Sequence, residues 1–348
     1  MGDIEKRLNK TAILKADTWG EEHAGLNAAN TGILPLNPGV PKRSVQMIED
    51  EAAGAFEANL DVGTFGPSDF GLDFDYRWDG RENILLGMLM GVDTAPAGPG
   101  AGGEYVHTIT LANSAFGRYV SYATEKGAQV HTVPTAKILK GTFSASGGLI
   151  KAAFNLRGSE ITDATATLAS STVPVNSHHR AKFQQAVFRM NDYTLAGGGT
   201  ALTTEIIKPK SFSLEIERKM DTEHVSGSQV ILEPVENDKP SVKLTMDFSR
   251  MDAVNAAYFA AWIAAVTTDK KADIYITGPH AGTGTVHYAL RFEFPHLVIE
   301  DVEYADSKII PAKIVLRALA ADVAQEGLTG LLPIGIFLTN MMSASLIA

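Results

Sequence analysis

The same strand-then-helix pattern occurs once in each half of this chain, and it limits what the chain can fold into. The first copy runs Leu72-Asp73-Phe74-Asp75-Tyr76-Arg77-Trp78-Asp79 and leads into the apolar stretch Ile84-Leu85-Leu86. The second runs Leu244-Thr245-Met246-Asp247-Phe248-Ser249-Arg250-Met251-Asp252 and leads into a stretch with Tyr258, Phe259 and Trp262. Apolar residues at every second position define a strand with one buried and one solvated face. Leu72, Phe74, Tyr76 and Trp78 share one such face, and Val242, Leu244, Met246 and Phe248 share another. Asp73, Asp75 and Asp247 point the other way. Each strand ends at an Asp read as a helix N-cap, Asp79 and Asp252, and Glu82 completes a capping-box spacing after Asp79. The offset of about 170 residues is the size of one domain, so the chain reads as a duplication.

Flanking phrases extend the repeat. Ser44-Val45-Gln46-Met47 opens the first unit as Ser211-Phe212-Ser213-Leu214 opens the second, and Ala153 to Arg157 parallels Ile314 to Arg317. Further strands are expected at 104–113, 118–124, 136–144 and 149–157, and again at 271–277, 286–293, 296–304 and 308–317. The expected fold is mainly β: two tandem β-sandwich units, each with one flanking α-helix, at 43–160 and 210–320. Between and around them lie an N-terminal extended arm (1–42), a linker or arm (161–209) and an uncharged C-terminal arm (321–348). The Gly/Pro-rich stretch from Ala95 to Gly103 reads as a loop insertion in the first unit. Glu49 to Phe70 reads as a long acidic connection, and loops of that length usually have a task of their own.

Composition narrows the function classes. The chain has no cysteine, which excludes disulfides and thiolate metal sites. Its formal net charge is -10, unlike a protein that grips nucleic acid through a basic face, but compatible with a wall that DNA passes without sticking. The start lacks the apolar core of a signal peptide, and Lys6 stands where a myristoylation motif needs Ser or Thr. The uncharged stretch from Gly327 onward is interrupted by Gly330, Pro333, Gly335, Thr339 and Asn340, so an ordered strand or docking arm is expected rather than a membrane span. Gly98 to Gly103 lacks the Gly-Lys-Ser/Thr ending of a phosphate loop. The adjacent His178 and His179 have no partners at metal-ligand spacing, and no nucleophile elbow occurs. No catalytic, cofactor or metal site is expected, and the chain does not read as an enzyme.

The order of elements from Ser44-Val45-Gln46-Met47, through Phe56-Glu57-Ala58-Asn59-Leu60-Asp61-Val62-Gly63, to Asp75-Tyr76-Arg77-Trp78-Asp79-Gly80 and the helix from Ile84 to Gly91 resembles the tail tube proteins of long-tailed bacteriophages. The resemblance runs from about Lys42 to Leu319. It implies two packed sheets and a flanking helix per unit, and rings whose inner sheets join into a β-barrel. A chain with two tandem units then closes a pseudo-sixfold ring as a trimer. No further immunoglobulin-like domain is visible, and the tail after Gly327 has no counterpart. The implied partners are further copies of the chain in stacked rings, a tail-tip or baseplate initiator, a tape-measure protein and a tail terminator. Genomic DNA passes through the lumen without specific binding. The implied location is the virion tail, assembled in the host cytoplasm.

On this reading Asp73, Asp75 and Asp247 are the candidate channel-facing residues. Glu49, Asp50, Glu51, Phe56, Asp61 and Phe65 are the candidate inter-ring loop, with the arm from Lys10 to Lys42 as a second contact. The alternatives are another tube-forming or tail structural protein, a carbohydrate-binding β-sandwich adhesin, and a hydrolase with an unrecognised site.

Overall fold

The computed structural model describes residues 10–347, apart from 38, 40, 50–59, 67, 127–128, 163–166, 175–178, 198–201, 203–205, 251–255, 258–259, 261–268 and 305–311. In the first half the elements are β1 (Thr11–Lys15), β2 (Ser44–Glu49), β3 (Leu60–Gly66), β4 (Ser68–Asp75), α1 (Asn83–Met90), β5 (Gly91–Asp93), β6 (Tyr105–Leu111), β7 (Val120–Lys126), β8 (Gln129–Ala145) and β9 (Lys151–Gly158). In the second half they are β10 (Ala186–Asp192), β11 (Ile206–Ile207), β12 (Ser211–Glu217), β13 (Met220–Asp221), β14 (Val235–Glu236), β15 (Ser241–Phe248), β16 (Lys270–His280), β17 (His287–Tyr304), β18 (Ala312–Leu319) and β19 (Gly335–Asn340). The protein is mainly β and antiparallel throughout. Residues 256, 257 and 260 are helical, and the rest of the second expected helix, with Asp252, lies outside the described residues.

Two ladders carry the fold. One runs β4-β9-β8-β12-β15-β18 and ends on the second half of β17. The other runs β5-β6-β19-β17-β16-β10-β11 through the first half of β17. Their inner faces meet at pairs such as Phe143 and Phe292, with ring centroids 5.2 Å apart. One buried apolar cluster spans both halves, from Ile13 to Leu346. The strands alternate as the residue pattern requires: β12, β15 and β9 each bury every second side chain.

Long strands pass between ladders at bulges, which is how a strand changes sheet without breaking. In β8 the register slips between its pairing with Val120 and with Tyr122, opposite Pro134. In β17 it slips between Lys270 and Ala272, opposite Pro295. Proline cannot donate to a ladder, so a bulge is where a strand tolerates it. A second bulge follows in each strand, at Leu139 against β9 and at Glu300 against β18. β4 pairs β9 so that Phe70 faces Leu156; β15 pairs β18 so that Leu244 faces Leu316. By this pairing Asp73 and Asp247 hold equivalent positions, opposite Ala153 and Lys313. The sequence alignment of Leu72 with Leu244 is thus displaced by one pleat.

Three expected arms prove to be ordered parts of the sheets. The N-terminal stretch is not a free arm: β1 pairs β7, and Ala12, Ile13, Leu26 and Ile33 are buried. The stretch after 161 lies against it, with Lys10 Nζ donating to the carbonyls of Leu168, Ala169 and Ser171. The C-terminal stretch is the ordered strand of the two readings. β19 sits between β6 and β17, so the uncharged tail is an internal strand with Ile336 and Leu338 fully buried. Phe337 and Thr339 on its other face are half-buried. The connection expected from Glu49 to Phe70 contains β3 and the start of β4, and β2 and β3 pair as a hairpin outside the main ladders.

Candidate assembly surfaces

The helix α1 packs against β8, β5 and β6 with all of its residues buried. It starts at Glu82, not at Asp79. The expected cap fails because the turn from Gly80 to Glu82 intervenes, with Asn83 N–H donating to the Gly80 carbonyl. The Asp79 carboxylate is instead taken by the Tyr288 hydroxyl (2.5 Å) and the Met341 N–H (2.8 Å). It therefore ties the start of the helix region to the end of β19. Burial raises the pKa of Asp79, against the lowering effect of these hydrogen bonds. Burial also pushes Glu82 up to about 7, and Arg77 offsets only part of it. Asp79 acts as a buried joint to the residues after β19, and Glu82 is buried with Arg77 Nε 3.9 Å away.

At its other end α1 stops at Gly91, which adopts the left-handed conformation. There the fully buried Arg218 donates to the carbonyls of Leu89 (2.6 Å), Met90 (3.0 Å) and Ala112 (2.9 Å), and to Glu236 (2.8 Å). A cation on the last carbonyls of a helix satisfies groups that have no partner within it. A second buried joint holds the tail: His107 Nδ1 donates to Asp93 Oδ2 (3.2 Å), and Asp93 also accepts from Ser345 Oγ and Leu346 N–H.

The outward face of the first ladder is polar and even. On β12 it carries Ser211, Ser213, Glu215 and Glu217, and on β15 Ser241, Lys243, Thr245 and Asp247. Asp73 is exposed on this face. Asp247 is half-buried on it and accepts from Ser211 Oγ (2.6 Å). Asp75 does not belong with them. It is buried and paired with Arg180 at 3.0 Å, because the strand edge turns toward the stretch 179–181 there. Nor is the face uniformly acidic. Ion pairs cross it at Arg157–Asp69 (2.8 Å), Lys140–Glu215 (2.7 Å), Lys243–Glu300 (2.9 Å) and Lys313–Glu303 (3.1 Å). Such exposed pairs each contribute roughly 0–1 kcal/mol to stability; their main effect is to cancel charge across the face.

The β2–β3 hairpin offers the opposite surface. Met47, Ile48 and Val62 are each 52% exposed. A lone two-stranded hairpin with apolar residues in water is marginal by itself. Of the residues expected for an inter-ring loop, Glu49, Asp61 and Phe65 lie on the strands of this hairpin. Asp50, Glu51 and Phe56 fall outside the described residues. The apolar trio Met47, Ile48 and Val62 escaped sequence reasoning, although the alternation around it was readable once the stretch was taken as strand.

Among the described residues no group of three or more His, Asp or Glu could hold a metal ion, and no helix is long and apolar enough to cross a membrane. The fold and surfaces define a structural β-protein with an even polar face and an apolar hairpin. A family model described as phage tail tube protein matches residues 8–301. The chain belongs to the phage tail tube family and is a structural component of a virion tail. The match reaches back to β1, further than the resemblance read from the residues, and stops before β18 and β19. Among curated proteins none matches the chain.

Proposed function

We propose that the chain is two tail-tube units in tandem, that trimers of it form pseudo-sixfold rings, and that the rings stack into the tube through which DNA is ejected. The observation that carries this is the repeated pairing of the two halves. β7-β8-β9-β4 and β16-β17-β18-β15 share their registers, both bulges and the proline inside the first bulge. β1 leads the first set, against β7, as β10 leads the second, against β16. In each half a hairpin, β2–β3 or β13–β14, precedes β4 or β15 in the chain. The boundaries then move outward from the expected 43–160 and 210–320. The first unit begins at β1 and the second ends at β19.

The outward face of the first ladder lines the lumen. Asp73 and Asp247 recur there at equivalent positions, and the ion pairs leave little net charge for phosphate to grip or be held by. The hairpin, with Met47, Ile48 and Val62, docks on the next ring. Head-to-tail stacking does not close, so it yields a filament. Length control then falls to the other tail proteins: an initiator at the tip, a tape measure inside and a terminator.

Negative-stain electron microscopy of the purified protein, concentrated or with its tail-tip initiator, tests this. Hollow tubes of stacked rings are expected; dispersed particles under every condition would overturn the reading. Asp73→Lys with Asp247→Lys should still form tubes but slow DNA release from assembled particles. Unchanged ejection kinetics would remove these acids from the lumen.

A further inference from the structure

The turn that delays the start of α1 gives two neighbouring side chains opposite surroundings. Glu82 is buried beside Arg77. Arg81 instead lines a cavity of about 430 Å³, together with Asn30, Pro174 and the residues that follow β19. That volume lies within the range of small-molecule sites, roughly 300–1,000 Å³. The Arg81 Nε is shut off from solvent and has no hydrogen-bond acceptor among the described residues. Burial pushes the pKa of the guanidinium down, and no carboxylate offsets this. Asp79 borders the same cavity, but its two oxygens already accept from the Tyr288 hydroxyl and the Met341 N–H.

Arg218, at the other end of α1, shows what a desolvated guanidinium requires. Burial lowers its pKa as well, but Glu236 offsets this, and the carbonyls of Leu89, Met90 and Ala112 take its donors. A charge withdrawn from water without such partners destabilises a fold. Arg81 ties no two elements together, so its place at this wall costs stability and returns none. An unsatisfied buried group in a native fold calls for a reason of another kind, and binding is one.

The lining selects what would bind. A guanidinium presents parallel donors that match a carboxylate or a phosphate. Pro174, Met341, Met342 and Ala344 make the walls around it mainly apolar. Besides Asp79, only Asn30 and Ser343 of the lining residues add polar side chains. A phosphate needs donors around all of its oxygens. A carboxylate needs them at one end only and can lay hydrocarbon against the rest of the cavity.

We propose that this cavity binds a carboxylate on Arg81, with the apolar part of the ligand against Met341 and Met342. The site stands independently of the ring reading. Two sources share the chemistry: a free small carboxylate, or an acidic side chain of a second copy. With 40 acidic against 30 basic residues per chain, copies in an assembly surround one another with carboxylates.

Butyrate, a carboxylate with a short apolar chain, is the probe. Saturation-transfer NMR on the unassembled full-length protein, at constant ionic strength, should detect its binding, and equimolar inorganic phosphate should not displace it. Arg81→Met should weaken binding about tenfold or more, as loss of a charge-assisted hydrogen bond does. Arg81→Lys, which keeps the charge but not the paired donors, should fall between. Equal binding by Arg81→Met, or no binding by the unmodified protein, overturns the site; displacement by phosphate overturns the carboxylate assignment. Stability gives a second check. In butyrate-free buffer Arg81→Met should melt no lower than the unmodified protein, because it removes an unpaired charge. A variant that melts several degrees lower, or does not fold, makes Arg81 structural and overturns the proposal. Assembled tubes separate the sources: butyrate bound by tubes and subunits alike supports a free ligand, and binding lost on assembly supports a side chain of a second copy.

Discussion

Glu82 should make this protein less stable as pH rises through neutrality, and Glu82→Gln should remove that dependence. The carboxyl is 3% exposed, at the start of α1, and it occupies the space that a Cβ at Gly80 would take. Desolvation disfavours its charged form. A hydrogen bond with its own backbone and Arg77, whose Nε lies 3.9 Å away, only partly offset this. The pKa rises from its ordinary 4.5 to about 7 in the folded state. Below pH 4.5 both folded and unfolded chains hold the proton, so the group contributes nothing to the balance. Between the two values the unfolded chain releases it and the folded chain keeps it, so raising the pH favours unfolding. Above about 7 the full penalty is present. At about 1.4 kcal/mol per tenfold change in proton affinity, that penalty is about 3 kcal/mol at pH 8, against about 1 kcal/mol at pH 5.

Glutamine keeps the shape and cannot ionise. Urea unfolding of the unassembled protein, followed by tryptophan fluorescence, should therefore show a small gain for Glu82→Gln at pH 5 and a gain of about 3 kcal/mol at pH 8. The pH slope of the variant between these values should be flatter than that of the unmodified protein. Parallel slopes, or an equal effect at both pH values, would show that Glu82 is not the titrating group and would refute the burial argument.

Arg218→Leu strands Glu236 and three carbonyls in a dry site, and should cost about 3–5 kcal/mol in chemical denaturation; a loss below about 1 kcal/mol would mean that water replaces the guanidinium. Met47→Ser with Ile48→Ser and Val62→Thr should leave the melting temperature of the subunit unchanged and abolish tubes in micrographs; normal tubes would take the hairpin out of the ring contact. Removing residues after Pro333 deletes β19 and exposes the edges of β6 and β17, so the shortened chain should fail to give a soluble monomer on size-exclusion chromatography. A well-folded shortened chain would show that β19 is dispensable to the fold.

The parts of the fold set by alternation were legible in the residues. Phe212, Leu214 and Ile216, or Val242 to Phe248, could only be half-buried strands, and Ile84 to Met90 could only be a buried helix. What misled was context. Asp79 followed by Glu82 has the spacing of a capping box, but a buried Tyr288 hydroxyl and the Met341 N–H hold the Asp79 carboxylate more strongly than a helix end could. The uncharged tail gave no alternation signal because Phe337, half-buried on the face opposite Ile336 and Leu338, is apolar as well. Pro134 and Pro295, each inside a long strand, are the clearest sequence mark of the similar pairing in the two halves. They are visible as such only once both are known to sit in the same bulge. For the surface, sequence placed Asp73 and Asp247 on a solvated face and could not see that Asp75, two residues along the same face, meets Arg180 from a distant stretch.

On the tandem reading, joining two units in one chain makes one sheet junction permanent and leaves the other to assembly. The permanent junction, β8 with β12, can carry any charges that suit folding, and it carries Lys140 with Glu215. Fusion also frees the two units to diverge. Among the described residues β5 and β6 have no counterpart in the second half, and β6 provides an edge for β19. That pairing makes each half depend on the other for burial. Neither unit should then fold when expressed without its partner, and a separately soluble half would contradict it.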